Sequence, residues 1–155
     1  ARVALLVGVD PDGTMLGLAG PKSRSLPFDV ECLRAGGESL PLADAFANTV
    51  VVTYAFCTIP DPEAALTEIR RILKPTGRLI FIEHGQAEGP RHRRWQERLN
   101  RPWGSLAGGC HLNRDPLRLI RGAGFRLVEE ERGRFPPHFW QLGSHYAGVA
   151  APPTS

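Results

Sequence analysis

The sequence predicts a three-layer α/β domain whose sheet is mostly parallel, with one antiparallel strand near the C-terminus. Three observations predict it. Short runs rich in Val and Leu alternate with segments of helical periodicity. Asp-Pro pairs at 61–62 and 115–116 each open an apolar-striped segment, the pattern of an N-cap followed by proline in the first helical turn. Two strand-like runs, over 125–135 and 143–150, then follow each other with only a Pro-rich link between them.

In chain order, residues 3–9 form the first expected strand. Its unbroken apolar run is the pattern of a strand covered on both faces. The Asp-Pro-Asp-Gly turn leads to a short helix over 13–20, weakened by its glycines. Residues 28–34 alternate apolar and polar, as an edge strand does, and 35–46 read as a loop. Three consecutive valines mark a buried strand over 49–56. Ala65, Leu66, Ile69, Ile72 and Leu73 fall on one face of a helix over 61–74, which Pro75 ends before a Thr76-Gly77 turn. Residues 78–84 are a central strand that stops on Glu83 and His84. A helix starts at Pro90 and is expected to stop at Pro102, with Trp95 and Leu99 packing down together and His92 on the same side. A last helix covers 115–122.

The 155 residues, 42% of them apolar, suit one domain with a real core. Ala1 is not an obvious translation start, so the sequence reads as beginning inside a larger protein. No run approaches the ~20 apolar residues of a membrane span, and the opening lacks the basic leader of a signal peptide. The net charge of +3 comes almost entirely from Arg. It suits solvated surfaces or an anionic partner, and no motif for nucleic acid accompanies it. Cys32, Cys57 and Cys110 are far apart and form no CxxC pair. That argues against a disulfide framework or a metal site and for a reducing, cytoplasmic setting.

In sheets of this kind ligands sit beyond the carboxyl ends of the strands. Asp10, Thr53, Tyr54, Glu83 and His84 all fall there. A carboxylate at such an end can accept both hydroxyls of a ribose, each bond to the charged group being worth ~1.5–3 kcal/mol. Asp10 alone does not choose between nucleotide cofactors, and Asp-Pro-Asp-Gly is also ordinary turn chemistry.

The stretches VGVDPDGTML, GGESLPLADAF, TVVVTYAFCTIPDPEAALTEIRRILKPTGRLIFIEH and LIRGAGFRLVEE, in that order, resemble the class I S-adenosylmethionine-dependent methyltransferases. The block from Pro60 to His84 is the most specific part of the likeness. EHGQAEGPRHRRWQ, RPWGSLAGGCHLNRD and FWQLGSHYAGVA bring it nearest to the methyltransferase-like seven group of alkyl-thiol methyltransferases. The ubiquinone/menaquinone C-methyltransferases are similar over the core alone. The resemblance implies a Rossmann-like fold, S-adenosyl-L-methionine as cofactor and S-adenosyl-L-homocysteine as product. It implies that Asp10 binds the ribose diol and that Pro11 and Met15 pack on the adenine. In the loop carrying Gly37, Glu38 and Ser39, the acid accepts from the adenine amino group and Ser39 offers its N–H to the ring. Thr53 and Tyr54 lie under the methionine portion. A nicotinamide-dependent oxidoreductase is disfavoured by the closing strand pair and the Glu38-Ser39 loop.

The sequence departs from this family in one respect. The Gly-rich strand that cradles the methionine end is absent, and it belongs between the strands at 3–9 and 49–56. Both of those strands are therefore expected to lack a partner on one side, with unsatisfied backbone groups costing ~1–3 kcal/mol each. Segments missing from a longer protein, an inactive adenosyl-binding remnant acting as a partner protein, or a strand lent by a second copy of the chain would each account for it. Omission is the favoured account, the 155 residues being one incomplete methyltransferase domain.

Methyl transfer from a sulfonium asks the protein mainly to position and desolvate, and a base only if the acceptor must lose a proton. His84 is the first candidate base and His111 the second. Cys110 is either pocket wall or a small core residue. Residues 88–112 form the expected substrate cover, lined by Trp95, Trp103 and Leu106, with arginines over 91–101 facing outward. That suits a small, apolar or lipid-like thiol, amine or hydroxyl acceptor, and peripheral contact with an anionic membrane.

Overall fold

The computed structural model describes residues 3–23, 25–134 and 143–153. Elements run in the order β1 (Leu5–Asp10), α1 (Gly13–Ser23), β2 (Asp29–Arg34), β3 (Ala47–Thr53), α2 (Pro62–Ile72), β4 (Leu73–Gly85), α3 (Pro90–Leu106), α4 (Pro116–Gly122), β5 (Arg126–Arg134) and β6 (Ser144–Ala151). The Pro-rich link and the expected strand end at 135 lie outside the described residues.

The expected single sheet is two. β1 pairs with β2 in parallel, and a second sheet has the order β3-β4-β6-β5. In that sheet β3 and β4 are parallel, while β6 runs antiparallel to both β4 and β5. β6 is thus the one reversed strand, as the sequence predicts. Among the described residues β1 has no partner opposite β2, and β3 has none opposite β4. The reading of both as strands covered on each face is corrected: Leu5, Leu6 and Val51 are 40%, 45% and 61% exposed.

The core lies under the larger sheet. Leu66 and Ile69 of α2 pack with Leu117 and Ile120 of α4 and with Leu79 and Phe81 of β4, and Ala65 and Ile72 are buried on the same helix. Asp61 caps α2 by accepting from the amides of Glu63 and Ala64, and Asp115 caps α4 by accepting from Arg118. Gly148 lies where a β-carbon would come within 2.3 Å of the Glu129 carbonyl and 2.8 Å of the Phe81 ring, so β6 can cross there only as glycine.

Several boundaries differ from the sequence reading, among them that α2 ends at Ile72 and Leu73 already opens β4. β3 ends at Thr53 rather than 56, because Tyr54 turns into the left-handed region at φ 50°. The expected turn at 76–77 is instead a bulge in β4: pairing jumps from Ala47–Leu73 to Thr49–Arg78. Pro102 lies inside α3 and does not end it. The amide it lacks removes one helical bond, and the chain still closes a last turn through Ala107 N–H to Trp103 O at 2.8 Å.

α3 also presents a different face from the one expected. Trp95 is 52% exposed, while its neighbour Gln96 is buried. The reason is polar: Gln96 Oε1 accepts from the Ala87 amide at 2.8 Å and its Nε2 donates to the Gly85 carbonyl at 3.2 Å. These bonds satisfy backbone groups at and just past the end of β4, which fixes the helix rotation.

Candidate active site

The carboxyl end of β3 is held by a buried acid on the neighbouring strand. Glu83 is fully buried, and its Oε1 accepts from the amides of Ala55 and Phe56 at 2.8 and 3.1 Å. Burial pushes its carboxyl above the usual range, and the two amides oppose that shift. The 55–60 turn is fastened from the other side by Arg114, whose Nη1 donates to the carbonyls of Phe56 and Ile59. Burial pulls this guanidinium below its ordinary value. Neither anchor was visible in the sequence, because each joins segments far apart along the chain.

On this frame stands Tyr54, strained at positive φ and 47% exposed. Its hydroxyl lies 3.2 Å from His145 Nδ1, and its ring stacks at 6.3 Å on His84. His84 is enclosed, with Nε2 3.2 Å from Cys110 Sγ. Cys57 also lies here. The neighbouring Cys110 thiol and burial push Cys57 up to about 12, and the same pairing draws Cys110 down to about 7. His111 is tied twice to the Cys57 carbonyl, by its backbone amide at 2.8 Å and by Nδ1 at 3.2 Å. A carbonyl oxygen can only accept, so Nδ1 is the donor of this bond, and in the neutral ring Nε2 is the basic nitrogen.

The remaining predicted residues lie on two other segments. Asp10 ends β1, and its Oδ1 accepts from the Asp12 amide at 2.7 Å, leaving Oδ2 for another donor. Pro11 and Met15 follow in exposed positions, Met15 at 51%. The turn bonding of Asp10 is thus real, and one oxygen of the pair expected for a diol is already engaged. Gly37 lies against α2, where a β-carbon would come within 3.3 Å of Ile59 and 3.5 Å of Ala65. Glu38 Oε1 accepts weakly from the Asp61 amide at 3.4 Å. The Ser39 amide, expected to face a ligand, donates to the Gly36 carbonyl at 3.3 Å. The structure therefore joins Tyr54, His84 and His111 in one cluster and ties the 36–39 loop to α2. Asp10 shares no described hydrogen bond with either, β1 lying in the separate sheet. A groove of about 570 Å³ beside α2 and α4, lined by Glu63, Gln86 and Arg118, includes none of the predicted site residues.

A clamp that sequence reasoning missed holds the 36–44 loop. Arg71 on α2 donates to both oxygens of Glu68, to the carbonyls of Leu40 and Leu42, and to Asp44. Glu68 also accepts from the Leu40 amide, and Arg71 first, then this amide, hold its carboxyl down at about 2. The signal was the Glu-x-x-Arg spacing on the helix, which reads equally well as a surface ion pair. Lys cannot reproduce this fork. Arg71→Lys is expected to weaken adenosyl binding about tenfold, or ~1.4 kcal/mol, with little change in thermal unfolding, by calorimetry with S-adenosylhomocysteine.

This arrangement, with parallel strands and one reversed strand, is the fold of the S-adenosylmethionine-dependent methyltransferases. It superposes on a putative methyltransferase from Bacillus halodurans with a TM-score of 0.78 at 18% identity, covering 98% of this chain and 84% of that one. A SAM-dependent methyltransferase from Methanosarcina mazei gives a TM-score of 0.74 at 19% identity, covering 97% and 83%. Residues 1–81 match the family model described as a methyltransferase domain, and the chain belongs to that family. Thiol S-methyltransferase TMT1B of Rattus norvegicus is 34% identical over 131 residues, 83% of this chain and 53% of that protein. The ubiquinone/menaquinone C-methyltransferase UbiE of Syntrophotalea carbinolica is 36% identical over 87 residues, 56% of this chain and 37% of that protein. The chain thus spans about half the length of the thiol methyltransferase relatives it matches.

Proposed function

We propose that this chain carries the adenosyl- and acceptor-binding parts of an S-adenosylmethionine-dependent methyltransferase whose acceptor is a small apolar thiol. The observation that carries this reading is the pinned imidazole of His111 at the carboxyl end of β3, with Nε2 left to take a proton. The thiol is favoured over other acceptors because the likeness to thiol S-methyltransferases extends over 83% of the chain, against 56% for the C-methyltransferase.

The residues present fit the adenosyl part of the cofactor. Asp10 retains one carboxylate oxygen for a ribose hydroxyl, Glu38 is only weakly engaged, and Met15 and Tyr54 offer exposed apolar surface. Pro11 follows Asp10 at the end of β1, Thr53 ends β3, and Gly37 and Ser39 lie in the loop between β2 and β3. Bound S-adenosylmethionine supplies an electrophilic methyl group on a sulfonium centre. The chain's own work is positioning, exclusion of water and, at His111 Nε2, acceptance of the acceptor's proton. His84, the other imidazole of the sequence reading, is enclosed between the Tyr54 ring and a thiol and forms the floor of the cluster. Residues 88–112 form the cover, and exposed Trp95 and Leu106 among the arginines of α3 give it an apolar, basic face. No helix among the described residues is long and apolar enough to cross a membrane. The α3 face is expected to hold the protein to anionic vesicles in a salt-sensitive way, measured by co-sedimentation.

Titration calorimetry with S-adenosylhomocysteine, then turnover with an alkyl thiol, tests the assignment. Asp10→Ala is expected to weaken binding by about tenfold or more, the loss of one bond to a charged group. Equal affinity in the variant removes Asp10 from the site. A second reading, adenosyl binding without turnover, is favoured by the open edges of β1 and β3. It predicts binding with no methylated thiol.

A further inference from the structure

We propose that Cys57, His84 and Cys110 form a binding site for one soft divalent cation, zinc by its donor chemistry. The three residues are distant in sequence and share no metal-binding spacing. The fold brings them together from the turn after β3, the end of β4 and the loop after α3. One ligand atom from each lies within 4.8 Å of both others. A tetrahedral zinc ion with bonds of ~2.0–2.3 Å holds its ligands ~3.5–3.8 Å apart, so the cluster closes on an ion by side-chain adjustments within about 1 Å.

Each donor is buried, with relative exposures of 4%, 6% and 9% for Cys57, His84 and Cys110. His84 is incompletely satisfied as it stands. Its Nε2 lies 3.2 Å from the Cys110 thiol, with the Cys57 thiol beside the pair, and its Nδ1 is buried with no hydrogen-bond partner among the described residues. Thiols are weak hydrogen-bonding partners, so a cation bound at Nε2 replaces a weak contact with a coordinate bond. Two thiolates balance the charge of a divalent ion, which makes the filled site neutral in a buried setting. Two sulfurs and an imidazole select zinc over magnesium or calcium, which take oxygen. Three protein ligands leave one coordination position open. The backbone around the site is already fixed, since Glu83 and Arg114 hold the turn that carries Cys57, and the His111 amide bonds to the Cys57 carbonyl. The site does not depend on methyl transfer.

The purified protein, prepared under reducing conditions and stripped with a chelator, is titrated with zinc against a competing indicator. One zinc per chain is expected, with X-ray absorption showing two sulfur ligands and one imidazole. Cys57→Ser and Cys110→Ser should each weaken binding by more than the ~10–100-fold typical of losing an outer-shell partner. Cys32→Ser, a change at an exposed thiol, should bind as the parent does. Should either core variant fail to fold, the X-ray absorption of the parent still decides. No zinc uptake at micromolar concentration, a zinc shell of only nitrogen and oxygen, equal loss in Cys32→Ser, or a Cys57–Cys110 disulfide in the reduced preparation overturns the proposal.

Discussion

Glu83→Ala is expected to destabilise the protein by ~2–5 kcal/mol, because it strands the buried Phe56 amide and the partly buried Ala55 amide at up to ~1–3 kcal/mol each. Against a typical total of ~5–15 kcal/mol this is enough to populate the unfolded chain. The carboxylate is fully buried and is the acceptor for both Ala55 and Phe56, so its loss frees the turn that carries Cys57. Glu83→Gln keeps a carbonyl acceptor and should lose much less. The pair also separates on pH. Burial raises the Glu83 carboxyl in the folded state, so the folded protein binds a proton more readily than the unfolded chain. Its contribution is therefore complete below the unfolded carboxylate value and is lost as pH rises through the raised folded value. Denaturant unfolding from pH 4 to 8 should show this decline in the parent, and Glu83→Gln should flatten it. Glu68 works in the opposite direction. Held down at about 2 by Arg71, it stabilises above the usual carboxylate range and loses that contribution as pH falls toward 2.

His111→Gln is expected to lower kcat/KM for an alkyl thiol by about 100-fold, the low end of the ~10²–10⁴-fold range for proton transfer. The low end applies because a thiol is far more acidic than a hydroxyl, so less of its ionisation rests on the base. Affinity for S-adenosylhomocysteine should stay unchanged, since His111 faces the acceptor side of the cluster in this reading. A selective loss of turnover at constant cofactor affinity supports His111 as the proton acceptor. Equal turnover in the variant assigns the imidazole a purely structural tie to the Cys57 carbonyl.

Much of the architecture was legible in the sequence because it is locally encoded. Asp61-Pro62 and Asp115-Pro116 cap and start helices by bonds within one turn. The apolar stripe of α2 states which face is buried, and the run over 78–84 states a central strand. Pro102 misled because a proline weakens a helix without forbidding it when the flanking turns hold. Trp95 misled because helical spacing gives a face, while the backbone groups at and just past the end of β4 chose Gln96 for burial. Leu5, Leu6 and Val51 misled because an apolar run records what a strand is built to meet, and nothing in the described chain meets it.

The sequence by itself determined the order and type of the elements, the reversed last strand and the placing of Asp10, Tyr54 and His84 at strand ends. These depend on periodicity, capping and turn chemistry, which act over a few residues. Only the tertiary structure decided the split into two sheets, the Arg71 and Arg114 clamps, the pinning of His111, and the meeting of Cys57 and Cys110 at His84. Those pairings join residues dozens of positions apart, and at that range no spacing rule survives. What selects them is the need to satisfy buried polar groups once the chain has packed.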